Sequence, residues 1–270
     1  MLSYKLKIIL WYSLRPHYWE HCLELLKRKL IYKDKKSEER DVAISWAESK
    51  QTNINEIYKQ IDPDLNLEGY TNLSFGPELI KEGKGLINNV NINIDKNIDE
   101  KRLGGKANLD LLYTLTIISK PQMVLETGVA FGWSSYAILA ALNETDINGR
   151  LISVDMPYPS TNNNDYVGIV VPKKLRKNWN LIRLPDRPGI KKAIRLNKDK
   201  FDLIHYDSDK SSRGRRYAYE LLWESLKEGG LFISDDIEDN LEFASFVEKK
   251  KTIYYVVKHE SKYIGIAIKQ

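Results

Sequence analysis

From residue 123 onward, short apolar runs alternate with helical patterns in a regular succession. The runs are Met123–Glu126, Leu151–Asp155, Leu181–Leu184, Phe201–Asp207 and Leu231–Asp235. Helical periodicity falls over Gly132–Leu142, near Arg213–Leu226 and near Asn240–Glu248, with a further helix at Asn108–Ile118 before the first run. Near-continuous apolar strands separated by helices predict a parallel sheet covered on both faces. The chain then closes differently. Thr252–His259 and Lys262–Lys269 are two strand patterns separated only by Glu260–Ser261, and so short a connection admits only an antiparallel hairpin. The expected fold is therefore α/β: an open, doubly wound, mostly parallel seven-stranded sheet ending in an antiparallel hairpin.

The remainder reads as a helical and loop-rich N-terminal extension over residues 1–104, with the α/β domain over 105–270. Residues 1–30 suggest one or two amphipathic helices broken near Pro16, with Leu23, Leu25, Leu26 and Leu30 at helical spacing. Lys33–Arg40 reads as a charged linker and Asp41–Ile61 as helical. Residues 62–102, rich in Asn, Gly and Asp, read as loops. The net charge of +5 is concentrated at the start: residues 1–40 hold ten Lys/Arg and five Asp/Glu, and the rest balances. A nucleic-acid partner is disfavoured, because such an enzyme more often lines its active face with positive charge. The basic arm suits either an anionic membrane surface, contacted peripherally, or packing as a helical arm on the domain or on a second subunit of a homo-oligomer. No run reaches the length of a membrane span, Ile8–Tyr12 is too short for a signal peptide core, and Cys22 is the only cysteine. Together these point to the cytoplasm.

The sharpest local pattern is Val124-Leu-Glu-Thr-Gly-Val-Ala-Phe-Gly-Trp-Ser-Ser135. An apolar strand ends on the acid Glu126, then comes a turn containing Gly128 and Gly132, then a helix. Glycines let the backbone turn sharply and approach a ligand closely, and open α/β sheets bind ligands at this end of their strands. A pyrophosphate site would want Gly-x-Gly-x-x-Gly. Here the spacing is Gly-x-x-x-Gly, and the acidic lead-in would repel a pyrophosphate while suiting the cationic amino-acid end of S-adenosylmethionine (SAM). The second strand also ends on an acid, Asp155, placed to take ribose hydroxyls. Either acid alone is commonly an ordinary polar strand end; two at successive strand ends around a glycine turn favour a cofactor site.

Residues 105–269 thus resemble the class I SAM-dependent methyltransferases. Glu126–Leu142, Phe201–Lys210 and Lys227-Glu-Gly-Gly-Leu-Phe-Ile-Ser-Asp-Asp-Ile237 resemble the metal-dependent, catechol-type and macrocin-type small-molecule O-methyltransferases. The resemblance implies that Glu126 and Gly128 border the methionine part of SAM, with Ser134 near it at the helix start and Gly132 in the same cofactor-binding turn, that Asp155 holds the ribose, and that Asp186 and Arg187 meet the adenine. The segment Leu184–Gly189 departs from the family's glycine-led pattern at that last position.

Two further strands end in acids: Asp207 with Asp209 and Lys210, and Asp235 with Asp236. If the strands are neighbours, Asp207, Asp235 and Asp236 converge. A hard divalent cation such as Mg²⁺ is the natural group to sit among them, and the resemblance makes these positions its ligands and Lys210 the general base. The plain alternatives are a solvated acidic rim and a salt bridge from Lys210. His205 reads as a core histidine, and Trp133 and Trp223 as packing residues. Met156–Trp179 is long for a connection, either a lid or a surface loop, and Gly104–Gly105 could hinge another. The acceptor expected is a hydroxylated small molecule, a sugar first. The rivals are a metal-independent methyltransferase of the same fold, separated by chelator; a nucleic-acid methyltransferase, separated by salt dependence; and a non-catalytic SAM-binding protein, separated by turnover.

Overall fold

The computed structural model describes residues 10–31, 36–66, 73–89, 107–145, 147–158 and 166–270. Seven strands form one sheet: β1 Met123–Thr127, β2 Arg150–Asp155, β3 Trp179–Arg183, β4 Phe201–Tyr206, β5 Leu226–Ser234, β6 Ile253–His259 and β7 Lys262–Ile268, in the order β3-β2-β1-β4-β5-β7-β6. The first five pair in parallel, and β7 runs antiparallel to both β5 and β6. This is the mostly parallel sheet with a reversed hairpin that the alternation of runs and helices predicts. The strand order reverses direction between β1 and β4, which opens a crevice at their carboxyl ends.

The main α-helices are α1 Trp19–Ile31, α2 Lys36–Ser49, α3 Ile54–Ile61, α4 Pro77–Asn89, α5 Leu109–Ser119, α6 Trp133–Glu144, α7 Asp186–Leu196, α8 Ser212–Ser225 and α9 Glu242–Lys250. They cover both faces. Because successive strand residues point to opposite faces, Val124, Leu203 and Leu231 join one core with α3, α5 and α6, whereas Leu125, Ile204 and Phe232 join a second with α7, α8 and α9. The second core is aromatic around Tyr219, whose ring lies 5.2 Å from Tyr206, 5.1 Å from Phe232 and 5.2 Å from Phe246. Trp223 packs there as expected.

Several boundaries differ from the sequence reading. Helix α2 begins inside the segment read as a charged linker. The helical pattern over Asp41–Ile61 is interrupted where Gln51 bridges to Val256 and Thr52 N–H donates to the Val256 carbonyl at 2.8 Å. Helix α4 lies within the stretch read as loops. Its Gly83 looks like a breaker, yet a Cβ there would lie 2.8 Å from the Trp133 indole; the glycine admits the tryptophan, and the helix gains its stability from packing rather than propensity. Of the long connection Met156–Trp179, Tyr166, Val167, Val170 and Val171 are buried. Its residues 159–165, the Gly104–Gly105 pair and the 104/105 boundary lie outside the described residues.

Candidate active site

A cavity of about 580 Å³ opens at the carboxyl ends of β1, β2 and β4, a size typical of small-molecule sites. Its floor is the turn between β1 and α6. Gly128 has φ +82°, and its N–H donates to the Val154 carbonyl at 2.8 Å. A Cβ at Gly128 would sit 2.1 Å from the Asp207 carbonyl oxygen, so this glycine lets the β1 turn lie directly against the end of β4. Gly132, at φ +91°, meets the Cα of Gly168 in the same manner and starts α6. It is not part of the cavity wall; Gly128 and Ser134 are.

Glu126 lies one layer below the cavity. It is fully buried and accepts hydrogen bonds from the Ser135 and Ser153 hydroxyls, with His205 Nδ1 3.6 Å away. Burial opposes a charge on His205, but the Glu126 carboxylate prevails and raises the imidazole above its ordinary value. Both groups brace β1 against β2 and β4. Asp155 does reach the cavity. Its Oδ2 accepts from the Val129 and Ala130 amides at 2.8 and 2.9 Å, and its Oδ1 from Arg183 at 2.6 Å. A carboxylate offers about four lone-pair sites. With three engaged there is room for one ribose hydroxyl, and taking both requires Arg183 to swing away. Asp186, the first residue of α7, accepts from the Ser208 hydroxyl at 2.6 Å and lines the same wall with Arg187. Burial lifts its carboxyl to about 6, against the pull of the Ser208 bond.

Strands β4 and β5 are neighbours, and they bring Asp207, Asp235 and Asp236 together: one carboxylate oxygen from each lies within 4.8 Å of the others. Burial and then repulsion from Asp235 raise the Asp207 carboxyl. Asp236 adopts a left-handed backbone, φ +49°. Beneath it the fully buried Arg215 donates to the carbonyls of Asp235 and Asp236 at 3.0 and 2.7 Å, fixing where both carboxylates start. Lys210 pairs with Asp207 at 2.9 Å and also with Asp236, whose other oxygen pairs with Lys262 at 2.8 Å. Lys262 comes from the start of β7 and carries no signal in the sequence; only the hairpin's return places it here.

The roof is α1, which the sequence reading left apart from the site. His21, Glu24, Leu25 and Arg28 line the cavity. Arg28 binds Asp209 through two nitrogens at 3.0 and 2.7 Å, and Glu24 accepts from Arg213 at 2.8 Å and from Arg28 at 3.1 Å, with Arg187 at 3.6 Å. His21, Glu24 and Arg28 share one helical face, a polar stripe that was the available clue. Burial pushes the His21 imidazole down. The Arg213 hydrogen bond, chiefly, holds the Glu24 carboxyl down at about 2 against burial, with Arg28 and Arg187 assisting.

A group whose folded pKa is depressed stabilises above its unfolded value and loses that contribution as pH falls. Docking of α1 is therefore expected to weaken as pH drops from about 4.5 toward about 2. Glu24→Gln should mimic this at neutral pH, at a cost of about 1–3 kcal/mol. Limited pepsin digestion across that range checks it: cleavage within residues 19–31 should rise in the unsubstituted chain, and equal cleavage at both ends would show that Glu24 does not hold the helix.

Residues 125–237 match the model of a family described as a methyltransferase domain. The chain carries a methyltransferase domain over these residues. A search of curated proteins by sequence finds no match. Among solved structures, the methyltransferase is similar to an O-methyltransferase from Bacillus cereus in complex with SAH (S-adenosylhomocysteine), at 14% identity and a TM-score of 0.52, covering 72% of this chain and 92% of that one. It is similar to the O-methyltransferase TomG from Streptomyces achromogenes, involved in tomaymycin synthesis and in complex with SAM, at 12% and 0.55, covering 76% and 95%. A methyltransferase from Geobacter sulfurreducens matches at 17% and 0.52, covering 77% and 97%. At such identities the likeness is one of fold.

Proposed function

We propose that this methyltransferase moves the methyl group of SAM to a hydroxyl of a small molecule, with a sugar or a similarly hydroxylated metabolite as acceptor, in the cytoplasm. The observation that carries the reading is the convergence of three carboxylates and a lysine beside a glycine-floored cavity. The donor's place is the floor: Gly128 and Ser134 at its methionine end, with Gly132 and Glu126 shaping the turn from behind, Asp155 at the ribose and Asp186 toward the adenine. Asp207, Asp235 and Asp236 would hold a divalent cation, Mg²⁺ by preference. The donor set fits: three carboxylate oxygens on two rigid strand ends make a hard, anionic, oxygen-only site. Such a cation supplies Lewis acidity, which lowers the pKa of an acceptor hydroxyl. Lys210 would take the hydroxyl's proton on its Nζ. Walls from α1 and α7 exclude water and hold the acceptor, and positioning supplies much of the acceleration.

A second reading has its own observation. Lys210 and Lys262 already neutralise Asp207 and Asp236, so the cluster can serve as a positioning network in a metal-independent methyltransferase of the same fold. Chelator separates the two. With a metal, excess EDTA is expected to abolish turnover and Mg²⁺ to restore it, while calorimetry shows S-adenosylhomocysteine binding unchanged and heat on titration of Mg²⁺ alone. Full turnover in EDTA removes the metal and leaves the donor site intact.

A further inference from the structure

Helix α1 is mounted with its apolar stripe facing out. At about 100° per residue, Trp19, Leu23 and Leu26 fall on one face and His21, Glu24 and Arg28 on the opposite one. The polar face is the one docked on the domain, through the ion pairs of Glu24 and Arg28. The leucines do not bury the arm: Leu23 is 58% exposed, Leu26 53% and Trp19 51%, and the preceding turn adds Leu14 at 69% and Leu10 at 51%. A helix whose role was only to pack would turn the other way. Large apolar side chains exposed on one helical face mark an interaction surface.

We propose that this outer face docks on an anionic lipid bilayer. Charge favours this occupant over a protein partner. The acids near the patch are neutralised inward or sideways, Glu24 by its three arginines and Glu20 by Lys191 at 3.7 Å. Lys27 is exposed next to Leu26, Arg15 adds a positive charge over the Trp11 ring, and residues 1–40 carry twice as many basic as acidic groups. The exposed Trp19, among these leucines, is the residue type that settles at a lipid–water boundary. No described helix is long and apolar enough to cross a membrane, so attachment is at the surface, by shallow insertion of leucine and tryptophan plus attraction between lysine and headgroup. Because α1 also roofs the cavity, the bilayer lies against the outer side of the active-site wall. The inference does not depend on the acceptor or the metal.

The test is co-sedimentation of the full chain with phosphatidylcholine vesicles, with and without phosphatidylglycerol. Partitioning is expected into the anionic vesicles, with a blue shift in tryptophan emission, and it should fall as salt rises. Leu23→Glu with Leu26→Glu should reduce partitioning about tenfold or more, with the melting temperature unchanged, and Lys27→Glu should reduce it for anionic vesicles only. Failure to bind either vesicle overturns the proposal, as does equal binding by the double variant. So does a dimer in sedimentation velocity that the double variant dissociates, which would make a second copy the occupant. A clear fall in melting temperature for the double variant would likewise overturn it, by showing the face to be covered by the chain itself.

Discussion

Gly128→Ala is expected to cost this methyltransferase its donor site and much of its stability, a large effect for one added methyl. Two independent terms act. The residue holds φ +82°, where a Cβ costs about 1–3 kcal/mol of backbone strain. That Cβ would also be built 2.1 Å from the Asp207 carbonyl oxygen and 2.7 Å from its carbon, and these are backbone atoms that cannot rotate away. Either the turn lifts off β4 or the end of β4 moves, and in both cases the floor and Asp207 separate. A displacement costing about 3 kcal/mol corresponds to about a hundredfold in affinity. Calorimetry with S-adenosylhomocysteine and thermal unfolding measure the two parts. Gly85→Ala is the control: it lies in α4 with nothing within 4 Å of the added carbon, and is expected to be neutral or slightly stabilising. Similar behaviour of the two variants would mean that the turn tolerates a side chain and that close approach is not its purpose.

The sheet was legible because buried parallel strands leave a simple mark, an apolar run closed by a polar residue, and the hairpin because two residues allow one connection. The acidic cluster was legible for the same reason: it sits at strand ends, and β4 and β5 are neighbours. What sequence hid are positions where packing overrides local preference. Leu184–Gly189, with two prolines and a glycine, does not look like a helix start, yet α7 begins at Asp186. Pro188 falls in the first turn, where no N–H is needed, and Gly189 lets the helix lie against Val154, from whose side chain a Cβ would be 2.3 Å away. Gly83 hid α4 similarly. The orientation of the arm was not legible in the sequence, which left both a surface-lying and a packed helix open. Leucines at helical spacing imply burial by default, and only Asp209, Arg187 and Arg213, far along the chain, reveal that the polar stripe is the docked one. Lys262 was invisible because its role depends on where the hairpin returns.

Lys210 decides between the two accounts of the acidic cluster, and the informative comparison is between two substitutions. As a general base it moves a proton, and its removal in Lys210→Met is expected to lower turnover by about 10²–10⁴-fold with donor affinity retained. As an ion-pair partner it supplies only charge to Asp207 and Asp236; its loss then leaves Asp207 without its lysine and Asp236 with Lys262, and stability and donor binding fall together with turnover. Lys210→Arg keeps the positive charge, and a guanidinium does not release its proton in the accessible pH range. The base role therefore predicts that arginine is as inactive as methionine, while the ion-pair role predicts that arginine restores most of the activity. Turnover of the two variants, set beside their S-adenosylhomocysteine affinities, reads the difference directly. An active arginine variant would transfer the proton-accepting role to another group at the cavity wall. His21 is then the first to test, because burial holds its imidazole below the ordinary value and so keeps it neutral and able to accept a proton.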